Sequence, residues 1–197
     1  MTSGPSSSCP AARWSQRKWS TKISRRLARA EQTARVRIAR DELRRLRELT
    51  AAADALEGEL AQLVAQVAPQ LLSEPGFGPL TAAKLIGEIA GAGRFSSDAK
   101  LAHAAGVAPI PASSGKTNRH RLDRGGNRQI NSALYRIALT RARCHPETKN
   151  YIARKRAEGK TQREAIRSLK RHLIRRIWHL LQPPHPNHCG FAESNIS

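Results

Sequence analysis

The chain has 197 residues, with 35 lysines and arginines against 15 acids, a formal net charge of +20 and a pI near 11.4. That length holds one domain of ordinary size with an extension, and that charge implies a polyanionic partner, most simply nucleic acid. The sequence contains no run near the ~18 apolar residues of a membrane span and no leader pattern at its start. Its three cysteines, Cys9, Cys144 and Cys189, are odd in number and lack C-x-x-C spacing, which excludes a disulfide framework and a structural zinc site.

Residues 1–22 contain serines and arginines but no acid, a composition shared by organelle transit peptides and frayed termini; they are expected to be disordered. From Ile23 to Val67, Ala, Leu, Arg, Glu and Gln dominate and no proline falls between Pro10 and Pro69, which predicts helix. Leu46, Leu49, Ala53, Leu56, Leu60, Leu63 and Val67 recur at spacings of three and four through three heptads. This is the seam of a helical hairpin or a coiled coil, so self-association through residues 43–67 is expected.

Residues 71–90, LLSEPGFGPLTAAKLIGEIA, predict a helix ending before Pro75 and a turn at Gly76-Phe77-Gly78. A second helix follows, with Leu80, Ala83, Leu85, Ile86 and Ile89 along one side. The arrangement resembles a helix-hairpin-helix, in which glycines let backbone N–H groups approach a DNA phosphate without reading sequence. Ser96 or Ser97 then caps a short helix, DAKLAHAA, closed by Gly106. His103 lies on it, and a lone helical histidine is more often a packing residue than a base.

Residues 106–127, GVAPIPASSGKTNRHRLDRGGN, have almost no apolar periodicity. They combine Ser113, Ser114, Lys116, Arg119, Arg121 and Arg124 with Gly126, Asn127 and Arg128 at the start of a helix. Loops of this length in a compact chain are functional or disordered. Arginine forks and helix N-termini bind phosphate oxygens, and a serine hydroxyl attacks phosphorus once its proton is removed. A solvated basic loop is the competing reading of the same residues.

The helix opened by Asn127 has Ile130, Leu134, Ile137 and Ala138 on one face and Arg128, Arg136, Arg141 and Arg143 elsewhere. Another helix from Pro146 carries Tyr151, Ile152 and the run Arg154-Lys155-Arg156, and stops at Gly159. Thr161 caps the last helix with Glu164 as its capping-box partner. There Ile166, Leu169, Leu173, Ile177 and Leu180 form a core stripe, Arg163, Arg167, Lys170, Arg171 and Arg175 point elsewhere and leave a face available to phosphates, and Trp178 packs inward. Residues 116–176 alone hold 19 lysines and arginines against 4 acids, so the charge is a patch. No stretch alternates with period two, and the fold class is all-α or nearly so. A long helix or coiled coil over 23–70 precedes a compact helical domain over 71–182. In the proline-rich tail, 183–197, expected to be disordered, His185, His188 and Cys189 have no apolar context and are given no metal role.

Over residues 71–182, the order Pro-Gly-x-Gly, G-x-A-P, Ser-Gly and then Gly-Asn opening a helix resembles the C-terminal domain of the insertion-sequence 110/116/902 transposases. The resemblance implies recombination of DNA through a two-part active site. An N-terminal RNase-H-like domain holds magnesium with acidic residues, and a C-terminal serine acts as nucleophile on a DNA phosphate. The family's Ser-Gly element matches Ser114-Gly115, with Ser113 as its neighbour. The resemblance further implies a guide RNA, a homo-oligomeric recombination complex whose linking coiled coil matches residues 23–67, and a cytoplasmic, nucleoid-associated location in bacteria.

No acidic cluster or βαβ pattern precedes residue 36. The chain is therefore expected to be a truncated transposase that binds nucleic acid without transposing DNA alone. No cofactor is expected in it, although magnesium is expected for the intact family enzyme. The alternatives are a non-enzymatic helix-hairpin-helix nucleic-acid-binding module and a scaffold in which the coiled coil does most of the work.

Overall fold

A computed structural model of the chain describes residues 11–111, 120–121, 123 and 125–182, with the side chains of 11–17, 120 and 121 excepted. Nine elements span Ala11–Arg29 (α1), Ala34–Val67 (α2), Pro69–Ser73 (α3), Pro79–Ile89 (α4), Asp98–Ala104 (α5), Ile110–Pro111 (β1), His120–Arg121 (β2), Arg128–Cys144 (α6) and Pro146–Ala157 (α7). Gln162–Leu180 (α8) closes the described chain, and a 3₁₀ turn at Ala92–Arg94 joins α4 to α5. The all-α expectation holds, and the two-residue strands are the one departure among the described residues.

The N-terminal helix differs from the expected one in two ways. It begins at Ala11, inside the segment expected to be disordered, because Ala11–Arg29 contains neither proline nor glycine to stop it. It also breaks at residues 30–33, where Thr33 takes extended backbone and its hydroxyl caps Val36. The two limbs fold back antiparallel. Arg40 donates to the Leu27 carbonyl at 2.7 Å and to Gln32 at 2.6 Å, and Arg47 donates to the Ser20 carbonyl at 3.1 Å. This hairpin leaves the heptad seam uncovered: Leu49, Leu56 and Leu63 are 61%, 60% and 57% exposed.

The core lies beyond that arm. The end of α2 brings Val64 and Ala68 against α4, α5, α6 and α8, which together bury Leu85, Ile89, Leu101, Ile130, Leu134, Ile137, Ile174 and Ile177. On α4 the inward residues are Ala82, Leu85 and Ile89, whereas Leu80, expected on the stripe, is exposed in the first turn. Helix α6 buries Ile130, Ala133, Leu134, Ile137 and Ala138, the i, i+3, i+4, i+7, i+8 pattern of one face. The capping box of α8 is present, with the Thr161 amide donating to Glu164 at 2.9 Å and the Glu164 amide donating to Thr161 at 3.3 Å. Trp178 packs against the core and donates its indole N–H to the Phe95 carbonyl at 3.2 Å.

Two carboxylates fasten α8. Glu74, after α3, accepts from Arg176 at 2.8 Å and Arg141 at 3.5 Å; Asp98, at the start of α5, accepts from Arg175 at 2.8 Å and Arg171 at 3.1 Å. The Arg175 hydrogen bond, reinforced by Arg171, holds the Asp98 carboxyl below its ordinary value. A lowered carboxyl pKa contributes stability above the ordinary value, and that stability is lost as acid protonates the folded form.

Candidate nucleic-acid interface

The 106–127 segment leaves and re-enters the core through a neck made of two glycines. Gly106 ends α5 at φ +65°, a conformation side chains rarely adopt. Gly126 passes directly over it: a Cβ there would lie 2.0 Å from the Gly106 nitrogen and 2.3 Å from its Cα. Beside this crossing the Asn127 amide donates to the Ala104 carbonyl at 2.6 Å. Asn131 donates to the Gly106 carbonyl at 3.2 Å and accepts from Lys170 at 2.5 Å. Further out, β1 and β2 pair antiparallel, Ile110 opposite Arg121 and Pro111 opposite His120.

Several predicted site residues belong to this neck. The Asn127 carbonyl oxygen caps the Gln129 and Ile130 amides, and its amide nitrogen donates to Glu88 on α4 at 2.7 Å. Gly126 is the crossing itself, and Arg128 is exposed on the first turn of α6. Ser113, Ser114, Lys116, Arg119 and Arg124 lie outside the described residues, and Arg121 is described by its backbone in β2. Asp123 was not singled out in the sequence; it accepts from the Gly125 amide at 2.9 Å and approaches His103 at 3.8 Å. Across the gap in sequence the fold thus sets an imidazole beside a carboxylate at the root of the loop.

The glycines of the 74–79 turn also shape the packing around them. Gly76 takes φ +83°, and a Cβ on it would meet the Arg141 side chain at 2.8 Å and the Ile137 carbonyl at 3.3 Å, so its smallness admits α6. Gly78 caps α4 and donates its amide to the Thr81 hydroxyl at 3.1 Å. The helix before the turn, α3, is five residues long.

The cations of α8 divide. Lys170 is 6% exposed and bonded to Asn131, and Arg171 and Arg175 hold Asp98. The expectation that all five basic residues are available to phosphates is corrected for Lys170 and Arg171, whose side chains reach inward to partners on α6 and α5, while Arg175 is exposed but paired with Asp98. Arg163 is exposed and Arg167 half-buried; exposed cations continue at Arg136 on α6, at Arg154 and Arg156 on α7, and at Lys160. Burial, and after it the charge of Arg167, pushes the Lys170 ammonium below its ordinary pKa.

Among the described residues no group of three or more His, Cys, Asp or Glu side chains is placed to hold a metal ion. They do not fit the magnesium site that the resemblance implies for an intact enzyme. Among them, too, no helix is long and apolar enough to cross a membrane. Residues 68–153 match the model of the Transposase IS116/IS110/IS902 family. The chain is similar to this family over that domain. The matched region runs from the C-cap of α2 into α7, so it contains the glycine neck and the whole 106–127 segment.

Proteins of insertion elements are similar to more than half of the chain. The chain is 35% identical over 131 residues to an insertion element IS110 43.6 kDa protein of Streptomyces coelicolor, covering 65% of this chain and 32% of that one. It is 34% identical over 114 residues to an insertion element IS900 42 kDa protein of Mycobacterium paratuberculosis, covering 57% and 29%. An insertion element IS116 44.8 kDa protein of Streptomyces clavuligerus is 31% identical over 112 residues. The chain spans about a third of the length of these curated relatives.

Proposed function

We propose that this chain is the DNA-engaging, nucleophile-bearing part of an insertion-sequence transposase, acting in DNA transposition and recombination. The observation that supports the reading is the coincidence of the family match with the close Gly106–Gly126 crossing and the pairing of Ile110 and Pro111 with Arg121 and His120. In the proposed reaction the Ser114 hydroxyl oxygen, or that of Ser113, forms a bond to a DNA phosphorus. A backbone P–O bond breaks, the departing strand oxygen takes a proton, and the serine proton passes to a base supplied by other polypeptide sequence. Lys116, Arg119, Arg121 and Arg124 stabilise the charge that develops on the phosphorus oxygens. The first turn of α4, with Gly76 and Gly78 before it, and the exposed Arg128 then bind the DNA backbone in the manner of a helix-hairpin-helix. A guide RNA shares the same basic surface in this reading, which places the protein on the bacterial nucleoid.

Binding to DNA is tested by titrating a labelled duplex against salt. The logarithm of the association constant is expected to fall linearly with the logarithm of salt concentration, by about 0.9 for every phosphate neutralised. A flat dependence would remove nucleic acid from the account.

The uncovered seam of α2 supports a second copy of the chain as its partner. Leu46, Leu49, Leu56, Leu63 and Val67 are exposed on a 34-residue helix, the spacing at which two such helices interlock. Leu56→Asp places a charge in that seam on both copies and is expected to raise the dimer dissociation constant at least about 100-fold. Sedimentation equilibrium reads the change, and an unmodified chain that stays monomeric at micromolar concentration would contradict the pairing.

A further inference from the structure

A cavity of about 640 Å³ opens between α6, α7 and the middle of α8, on residues that the proposed reaction does not use. One wall is a fixed aromatic corner. The Tyr151 hydroxyl is bonded to Ser168 at 2.7 Å, and the His172 ring meets the Tyr151 ring edge-on with centroids 5.4 Å apart. Leu169 supplies apolar surface beside them. Two guanidinium groups complete the lining: Arg154 lies 5.6 Å from the centre of the Tyr151 ring, and Arg141 is steered by Thr148 at 3.4 Å and Glu74 at 3.5 Å.

The surroundings are positive. Partial burial, then the charges of Arg175, Arg171 and Lys155, hold the His172 imidazole below its ordinary pKa, and Glu147 is the one carboxylate in the lining. An aromatic corner lined by Leu169 and set beside two cations suits a ligand that joins a planar ring to an anion. The volume falls in the range of sites that enclose small molecules, about 300–1,000 Å³. Aromatic faces stack on any base, and such stacking is tolerant of sequence.

We propose that this cavity captures a single unpaired nucleotide of a nucleic-acid strand, its base against the Tyr151–His172 corner and its phosphate between Arg141 and Arg154. The inference rests on nucleic acid being the partner of the chain, and it adds an address for unpaired strand at a distance in the fold from the glycine neck. It also finds a use for Arg154 and Lys155, which at i+3 and i+4 on the same helix lie over the Tyr151 ring.

The test compares the intact chain with Arg154→Ala, His172→Ala and, as a control for net charge, Arg156→Ala, which lies on α7 outside the lining. The probes are adenosine monophosphate, a single-stranded oligonucleotide carrying 2-aminopurine, and the matching duplex. Adenosine monophosphate is expected to shift the His172 imidazole resonance saturably. Arg154→Ala and His172→Ala are each expected to weaken single-strand binding about tenfold or more while leaving duplex binding within about threefold. Arg156→Ala is expected to weaken both forms alike. Equal losses for single strand and duplex in the cavity variants would overturn the proposal, as would an unmoved His172 resonance with unchanged single-strand affinity. Binding of adenosine monophosphate alone would overturn the assignment to a strand. Failure of the chain to bind any nucleic acid would sink the broader reading, whereas duplex binding that survives a failed cavity test leaves that reading standing.

Discussion

Replacing Gly126 by alanine is expected to lower the melting temperature by about 5–10 °C and to open the crossing with Gly106. The added Cβ would meet the backbone of Gly106 at 2.0 and 2.3 Å and the carbonyl carbon of Ala105 at 2.8 Å. None of these atoms belongs to a side chain that can rotate away. The two limbs must separate, and the Asn127–Ala104 hydrogen bond that begins α6 separates with them. Overpacking of this kind costs about 1–3 kcal/mol or more, and in a chain of this length each kcal/mol is worth about 2–4 °C. Gly87→Ala is the matched control, since a Cβ there meets nothing within 4 Å on α4. It is expected to leave stability unchanged or raise it slightly, because alanine restricts the unfolded chain. Calorimetry on the two variants decides the matter: equal melting temperatures would contradict the crossing of the glycines.

Asn131→Ala is expected to cost about 2–3 kcal/mol at neutral pH, with a deficit that narrows in alkali. Asn131 accepts from the buried Lys170 ammonium and donates to the Gly106 carbonyl, so it couples α8 to the neck. Hydrogen bonds to charged groups are worth about 1.5–3 kcal/mol, and deleting the acceptor leaves a buried ammonium without that partner. Because the folded pKa of Lys170 is lowered from 10.5, burial of its charge is unfavourable at all pH values below the folded pKa. That penalty disappears as pH rises towards 10.5, where the unfolded chain loses the proton too. Wild type should therefore gain stability through this window. The variant should gain more, since its lysine is less well satisfied while charged. Denaturant unfolding at pH 7 and pH 10 reads the difference, and a deficit equal at both would show that the lysine charge is not what Asn131 answers.

Much of the fold was legible because local rules and tertiary packing agree. Thr161 with Glu164, Asn127 before Ile130, Ser97 before α5 and the left-handed glycines at 106 and 159 all fall where the spacing of apolar residues demands an end. The break at residues 30–33 was missed because Ala and Arg flank it on both sides, and one threonine cap is a weak signal against strong helix formers. Burial of Lys170 was missed for another reason. It stands four residues after Ile166 and four before Ile174, on the apolar face, but its charge assigned it to the surface. The clamps at Glu74 and Asp98 join residues 67 to 102 positions apart, and no local pattern announces such pairs. Of the candidate site, the sequence marked the loop and the glycines. That Gly126 serves Gly106, that Asn127 serves Glu88, and that Asp123 stands by His103 are facts of packing. The serines at 113 and 114 remain a proposal resting on the family pattern.

The nucleophile is tested most directly by looking for its bond to DNA. The chain is mixed with an intact transposase of the same family whose own serine is alanine, so that the acidic half comes from the other protein, and with a nicked substrate that prevents reversal. Peptide mass spectrometry after nuclease digestion then reports where phosphorus is attached. The account predicts a nucleotide adduct on Ser114, lost in Ser114→Ala together with strand exchange. Strand exchange that persists when both Ser113 and Ser114 are alanine, with no adduct on this chain, would contradict it and leave a module that binds nucleic acid without chemistry.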